Sequence, residues 1–178
     1  MEQQEVEKTF KEFGDYVIEK AKSNLKSGGK YGSYNSSGKL TDSLDYELKV
    51  NPNSFEFDFF AEDYWKFVDK GVKGKTSSAK APNSPYQFGS GTGKKGGLRN
   101  SIDKWVVRKG LANVRDKKGK FINRKQMVSM ISSAIYNRGL TATEFFSKPF
   151  DESFKKLPDE ILEAYGKDLD KFLIKEIE

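Results

Sequence analysis

No cysteine and no histidine occurs among the 178 residues of the chain. Their absence removes disulfides, Cys or His zinc sites, thiolate nucleophiles and the usual general base near neutral pH. Serine and threonine are plentiful, but there is no histidine to activate them. Long apolar runs are missing too. No window approaches the roughly 18 apolar residues of a membrane span, and the opening MEQQEVEKTFKEF is charged. Neither a transmembrane nor a secretory segment is therefore expected. Hydrophobic residues are also scarce, at 35% against 33% charged, with a mean hydropathy of −0.75. The core must be lean, and the 14 Phe, 8 Tyr and 2 Trp offset the shortage because each ring buries a large apolar area. The length fits one domain, since domains commonly run to about 100–200 residues.

Acidic residues are nearly absent from one stretch. Between Val72 and Leu140, 16 Lys or Arg face two acids, Asp103 and Asp116, for a net +14. The remainder holds 16 basic and 24 acidic residues, a net −8, and the whole chain is +6. An acidic frame thus carries a basic insert. Three readings fit it: a surface facing nucleic acid, where each cation near a phosphate releases counterions, a solvated loop region, or a patch docking on an acidic neighbouring subunit. The candidate contact residues are Lys94, Lys95, Arg99, Arg115, Lys117, Lys118, Lys120 and Arg124. Arginine is limited to Arg99, Arg108, Arg115, Arg124 and Arg138, so any DNA contact is expected to be without sequence preference.

Val6, Phe10, Phe13, Val17, Ile18, Ala21 and Leu25 recur at spacings of three and four, predicting a helix of about 25 residues that ends at Gly28 and Gly29. GGKYGSYNSSGKL reads as a loop. Leu44, Tyr46, Leu48 and Val50 alternate with charges, and after Asn51–Ser54 so do Phe55, Phe57 and Phe59, which predicts an antiparallel hairpin with one buried face. AEDYWKFVDK reads as a short helix or turn closed by Gly71. Residues 72–97 have no period and read as a loop that orders on assembly. A helix is expected over Leu98–Lys109, with Leu98, Ile102, Trp105 and Val106 inward. RDKKGK is a turn, and Asn123 caps a helix to Arg138 with Met127, Met130, Ile131, Ala134 and Ile135 on its apolar side. Thr141 and Glu144 fit a capping box for a further helix, interrupted around Pro149. Ile161, Leu162, Tyr165, Leu169, Phe172, Leu173 and Ile177 mark a final amphipathic helix. The expected class is α+β: a long N-terminal helix, a small antiparallel sheet, a helical insertion and a C-terminal helix.

Nucleotide motifs fail on inspection. Gly91, Gly93 and Gly96 satisfy G-x-G-x-x-G, but SSAKAPNSPYQ precedes them instead of a buried strand. A P-loop would need Gly at 88 and Ser or Thr at 95, where Phe88 and Lys95 stand. Glu56 and Asp58 alternate with three Phe and read as the wet face of the hairpin, and Asp63 and Asp69 have no partner acid or base in view. No catalytic, cofactor-binding or metal-binding residue is expected, and the chain is not read as an enzyme. Tyr31, Tyr34, Tyr86 and Phe88 flank basic, Gly-rich loops. They suit stacking on single-stranded bases or, preferably, anchoring a loop on a neighbouring chain. Tyr64 and Trp65 join them as subunit-interface candidates.

SSGKLTDSL (Ser36–Leu44), YWKFVDKGV (Tyr64–Val72) and KPFDESF (Lys148–Phe154) resemble, in order, segments of the small head-to-tail joining or tail-completion proteins of tailed bacteriophages. In that family an N-terminal helix is followed by TG-x-L-x-x-S, then YA-x-x-V-E-x-GT, and later a PF that begins the closing helix. Here Ser37 stands for Thr, Trp65 for a small residue, Asp69 for Glu and Val72 for Thr, and residues 72–147 look like an insertion. The resemblance implies a helix packed on a small antiparallel sheet and a ring of six or twelve copies between portal and tail. It also implies contacts to neighbouring portal, neck and tail proteins and nonspecific contact with phage DNA. Assembly in the host cytoplasm and a place in the virion neck would follow, with no membrane association. The alternative reading from the basic block is a nonspecific nucleic-acid-binding protein.

Overall fold

The computed structural model describes residues 3–27, 36–51, 54–91, 97–111, 114–115 and 119–177. Among them are seven helices and one two-stranded antiparallel sheet, an α+β fold. The chain gathers into two compact units, the first made of Met1–Asp63 with Glu144–Glu178 and the second of Tyr64–Thr143.

The first unit is built on α1 (Gln4–Ser27), whose Val6, Phe13, Val17, Ile18, Ala21 and Leu25 are buried at the predicted spacing. The strands β1 (Asp45–Asn51) and β2 (Ser54–Phe60) pair in the register Tyr46↔Phe59, Leu48↔Phe57 and Val50↔Phe55, so the predicted apolar face is continuous across both strands. A two-stranded hairpin is marginal alone in water; here its Phe residues pack on α1. Phe13 meets Phe57 edge-on at 5.6 Å and Phe10 meets Phe55 at 4.6 Å. Between these contacts lies Gly14, where a Cβ would stand 2.7 Å from both the Phe57 and Tyr46 rings. Those two rings stack at 5.1 Å.

Residues 36–38 of the GGKYGSYNSSGKL segment form a turn as read, and of its described residues only the last two depart from the loop reading. Its end enters a short helix, α2 (Lys39–Ser43), which buries Leu40 and Thr41; residues 28–35, including Tyr31 and Tyr34, lie outside the described residues. One anchored leucine suffices to fix a single turn, which no periodicity count registers. The capping box at Thr141 and Glu144 does not form either. Glu144 is left-handed (φ 48°), and just before it the Thr143 hydroxyl donates to the Val68 carbonyl at 2.8 Å. The next helix, α6 (Ser147–Phe154), starts only after Phe146. Pro149 sits within its first turn, where no intrahelical N–H bond is lost, so it does not interrupt the helix. α6 extends the aromatic cluster through Phe150, 5.8 Å from Phe13, and Phe146, 5.1 Å from Phe59. α7 (Leu157–Ile177) packs on α1 through Leu157, Ile161 and Ala164.

The second unit opens with α3 (Trp65–Lys70), closed by Gly71 as the sequence predicts. Residues 72–91 form neither helix nor strand, yet they are held closely. Val72 bridges Leu140 in antiparallel fashion while Lys73 bridges Gln87 in parallel, placing three extended segments side by side. At Gly139 (φ 82°) a Cβ would stand 2.3 Å from the Val72 carbonyl oxygen, so only glycine permits this crossing. α4 (Gly97–Arg108) and α5 (Arg124–Arg138) pack together around Val106, Met127 and Val128, with Ile102, Trp105 and Ile131 against them. Asn123 caps α5 as predicted, its side chain accepting from the Lys125 N–H at 2.9 Å. The apolar side of α5 is a correction: Met130 and Ala134 are exposed, and Val128 and Ser132 are buried instead. α5 is apolar on more than one side, so period alone did not select the face that α4 covers.

In helix-propensity terms Gly→Ala stabilises by about 0.5–1 kcal/mol. Gly166→Ala in α7, where nothing lies within 4 Å, should deliver that gain. Gly14→Ala should instead lower stability by about 1–3 kcal/mol, the range for overpacking a filled site. Paired urea unfolding curves check both. The Tyr46 phenol is pushed up to about 12 by burial and then by its hydrogen bond to Asp15. Because the raised value favours the neutral form in the folded state, its contribution is complete below the ordinary value of 10.0 and is lost as pH rises through about 12. A UV-difference titration should show one tyrosine ionising late, and Asp15→Asn should bring it earlier.

Candidate functional site

The division into two units sharpens the charge asymmetry. The second unit carries 18 Lys or Arg and three acids, Asp69, Asp103 and Asp116, for a net +15. The first carries 14 basic and 23 acidic residues, a net −9. Of the basic unit's acids, Asp69 lies 3.7 Å from the Lys70 ammonium and Asp103 is paired with Arg124.

Of the predicted basic contacts, Lys94, Lys95, Lys117 and Lys118 lie outside the described residues. Arg99 and Lys120 are exposed. Arg124 forms a two-pronged ion pair with Asp103, its Nε donating at 2.7 Å, and this hydrogen bond holds the Asp103 carboxyl below the usual range. Arg115 lies 4.0 Å from the Phe121 ring centroid and donates to the Gly119 carbonyl at 3.1 Å. The two arginines therefore differ: one is already neutralised, and the other is stacked on an exposed ring, an arrangement that presents a planar cation with an apolar edge. On α4, the buried side is Ile102, Trp105 and Val106, so the 3.6-residue period turns Asn100, Lys104, Val107 and Arg108 outward together. Val107 is an exposed apolar residue set among cations.

The aromatic candidates separate in the same way. Tyr86 packs edge-on against Phe67 at 4.6 Å, and Phe88 lies 5.9 Å from Tyr136. Both are half-buried and hold the irregular segment in place through contacts within the unit. Tyr64 is exposed just ahead of α3, and Trp65 is half-buried with the Lys66 ammonium 5.8 Å from its ring. The structure brings Tyr86 into the extended cluster beside Val72 and Lys73.

The sequence reading missed a surface on α7. Its apolar stripe places the helix correctly, but the large residues of the stripe do not pack on α1. Leu162 is 70% exposed, and Tyr165, Leu169, Phe172 and Leu173 also stand open. Residues 157, 161, 164 and 168 make the seam to α1, and the open stripe lies about 100° around the helix, one residue step away. Asp168 fixes that rotation. It is buried, and its carboxylate accepts from the Glu5 and Val6 N–H groups at 3.1 and 3.2 Å, capping the first turn of α1 from another helix. Lys171 donates to Glu5 beside it and lowers the Glu5 pKa.

Glu47, Glu56 and Asp58 line the outer face of the hairpin, where Lys49 sits 3.8, 4.0 and 3.1 Å from them; the ammonium occupies the position a cation would need. No group of three or more acids suited to a metal occurs among the described residues. No described helix is long and apolar enough to cross a membrane.

Asp168→Ala should strand two backbone donors at the start of α1 and lower stability by about 1–3 kcal/mol, read by thermal unfolding, with greater amide exchange over residues 5–8. No family model, no curated protein and no solved structure matches this chain.

Proposed function

We propose that the chain is a structural virion protein of a tailed-bacteriophage neck, a ring-forming head–tail connector or tail-completion component around the DNA channel. The observation that carries this reading is the division of charge between two units of one chain, −9 and +15. Identical copies with opposite charge on two units attract each other in a repeating, head-to-tail sense. Further support comes from the three family-like segments, which fall on α2 and the entry to β1, on α3 up to Val72, and on α6. The lean core supports it too, since subunit contacts bury what a monomer leaves open. In this reading the ring holds six or twelve copies and contacts portal, neck and tail proteins. DNA passing through meets cations without sequence readout.

The second reading, a nonspecific nucleic-acid-binding protein, is favoured by Arg115 stacked on exposed Phe121, a pair suited to phosphate and base faces. Electron microscopy of the purified protein, alone and mixed with neck and tail components, separates the two. The neck reading expects closed rings or incorporation into necks, and a stable monomer that never joins either would sink it. The binding-protein reading expects the isolated monomer to hold DNA, with affinity falling steeply with salt.

A further inference from the structure

We infer that the open stripe of α7 docks on the cationic face of α4 in a second copy of this chain, and that this contact is the repeating joint of the assembly. The inference rests on the ring-forming reading above and names its interface. Leu162, Tyr165, Leu169 and Phe172 follow a three–four–three spacing, the pattern of a helix seam that inserts into another helix. All four are exposed in a helix whose opposite border is held on α1 by Asp168.

Charge selects the partner. By helical period, the free border of the stripe carries Asp159 and Asp170, with Glu163 beside them paired to Lys167 at 2.8 Å. Two α7 helices packed on each other would bring these acidic borders together, and like charges flanking a seam oppose pairing. The α4 face supplies the complement, with exposed Lys104 and Arg108 along one side of exposed Val107. An acid-edged apolar stripe therefore fits a cation-edged apolar residue. Because the two surfaces differ, the contact is heterologous: each copy offers one of each, and repetition closes a ring or extends a filament.

Two double variants test this in the full-length chain. Leu162→Ser with Leu169→Ser disables the stripe, and Lys104→Glu with Arg108→Glu reverses the α4 face. All four side chains are exposed, and circular dichroism verifies folding of each variant. Either variant alone should lose self-association by about tenfold or more, the effect of losing one buried leucine or its charge partners, in sedimentation velocity. Mixed together, they retain one working contact and should stop at a dimer. Adding Asp159→Lys and Asp170→Lys to the reversed α4 variant should restore larger assemblies.

An α4 variant that still self-associates through α7 overturns the heterologous joint. Wild-type rings that persist in both variants overturn this interface and leave the neck reading standing. A wild-type chain that stays monomeric at every concentration and salt overturns both.

Discussion

Where α1 passes the hairpin, its backbone comes close enough to Tyr46 and Phe57 that only a hydrogen fits at Gly14. That approach lets Phe13 reach the centre of an aromatic cluster drawn from α1, β2 and α6. Glycine inside a helix is unfavourable by propensity, so the packing of the rings must outweigh it. Aromatic pairs contribute beyond their buried area, about 0.5–1.5 kcal/mol each. A chain short of aliphatic residues thus builds one dense region from Phe and leaves its remaining surface polar. The hairpin, α6 and the α1–α7 seam all depend on that region.

The second unit solves the same shortage differently. Its helical pair, α4 and α5, has a small apolar core, and the rest is held by backbone hydrogen bonds among residues 72–76, 86–88 and 136–140. The Lys75 and Thr76 N–H groups donate to the last carbonyls of α5, and the Lys80 ammonium donates to the Gly139 carbonyl. These donors satisfy a helix C-terminus and place positive charge at its negative end. A unit stabilised this way can keep cations such as Arg99 and Lys104 exposed at its surface.

Both units therefore commit their apolar residues sparingly, and the surfaces left over are complementary in charge. The exposed α7 stripe stands out because large apolar side chains at regular helical spacing rarely stay open without a partner. Burying it on a basic, partly apolar face removes exposed hydrocarbon and pairs charges in one step, which gives association both affinity and direction.

Local sequence pattern determined α1, an antiparallel hairpin, α4 and the closing helix by periodicity, and the Asn123 cap by residue type. Composition likewise determined the basic block between Val72 and Leu140, and with it the cations of the candidate site. Tertiary structure decided what local pattern leaves open. Thr143, bonded to Val68, prevents the capping box at Thr141 and Glu144, and Leu40 secures a turn of helix within an apparent loop. Arg124 is taken by Asp103, while Arg115 is presented on Phe121. Spacing groups Leu162, Tyr165 and Leu169 on one face, but Asp168 at the start of α1 turns that face outward. Period fixes which side chains share a face; only the packing of distant segments fixes what, if anything, covers it.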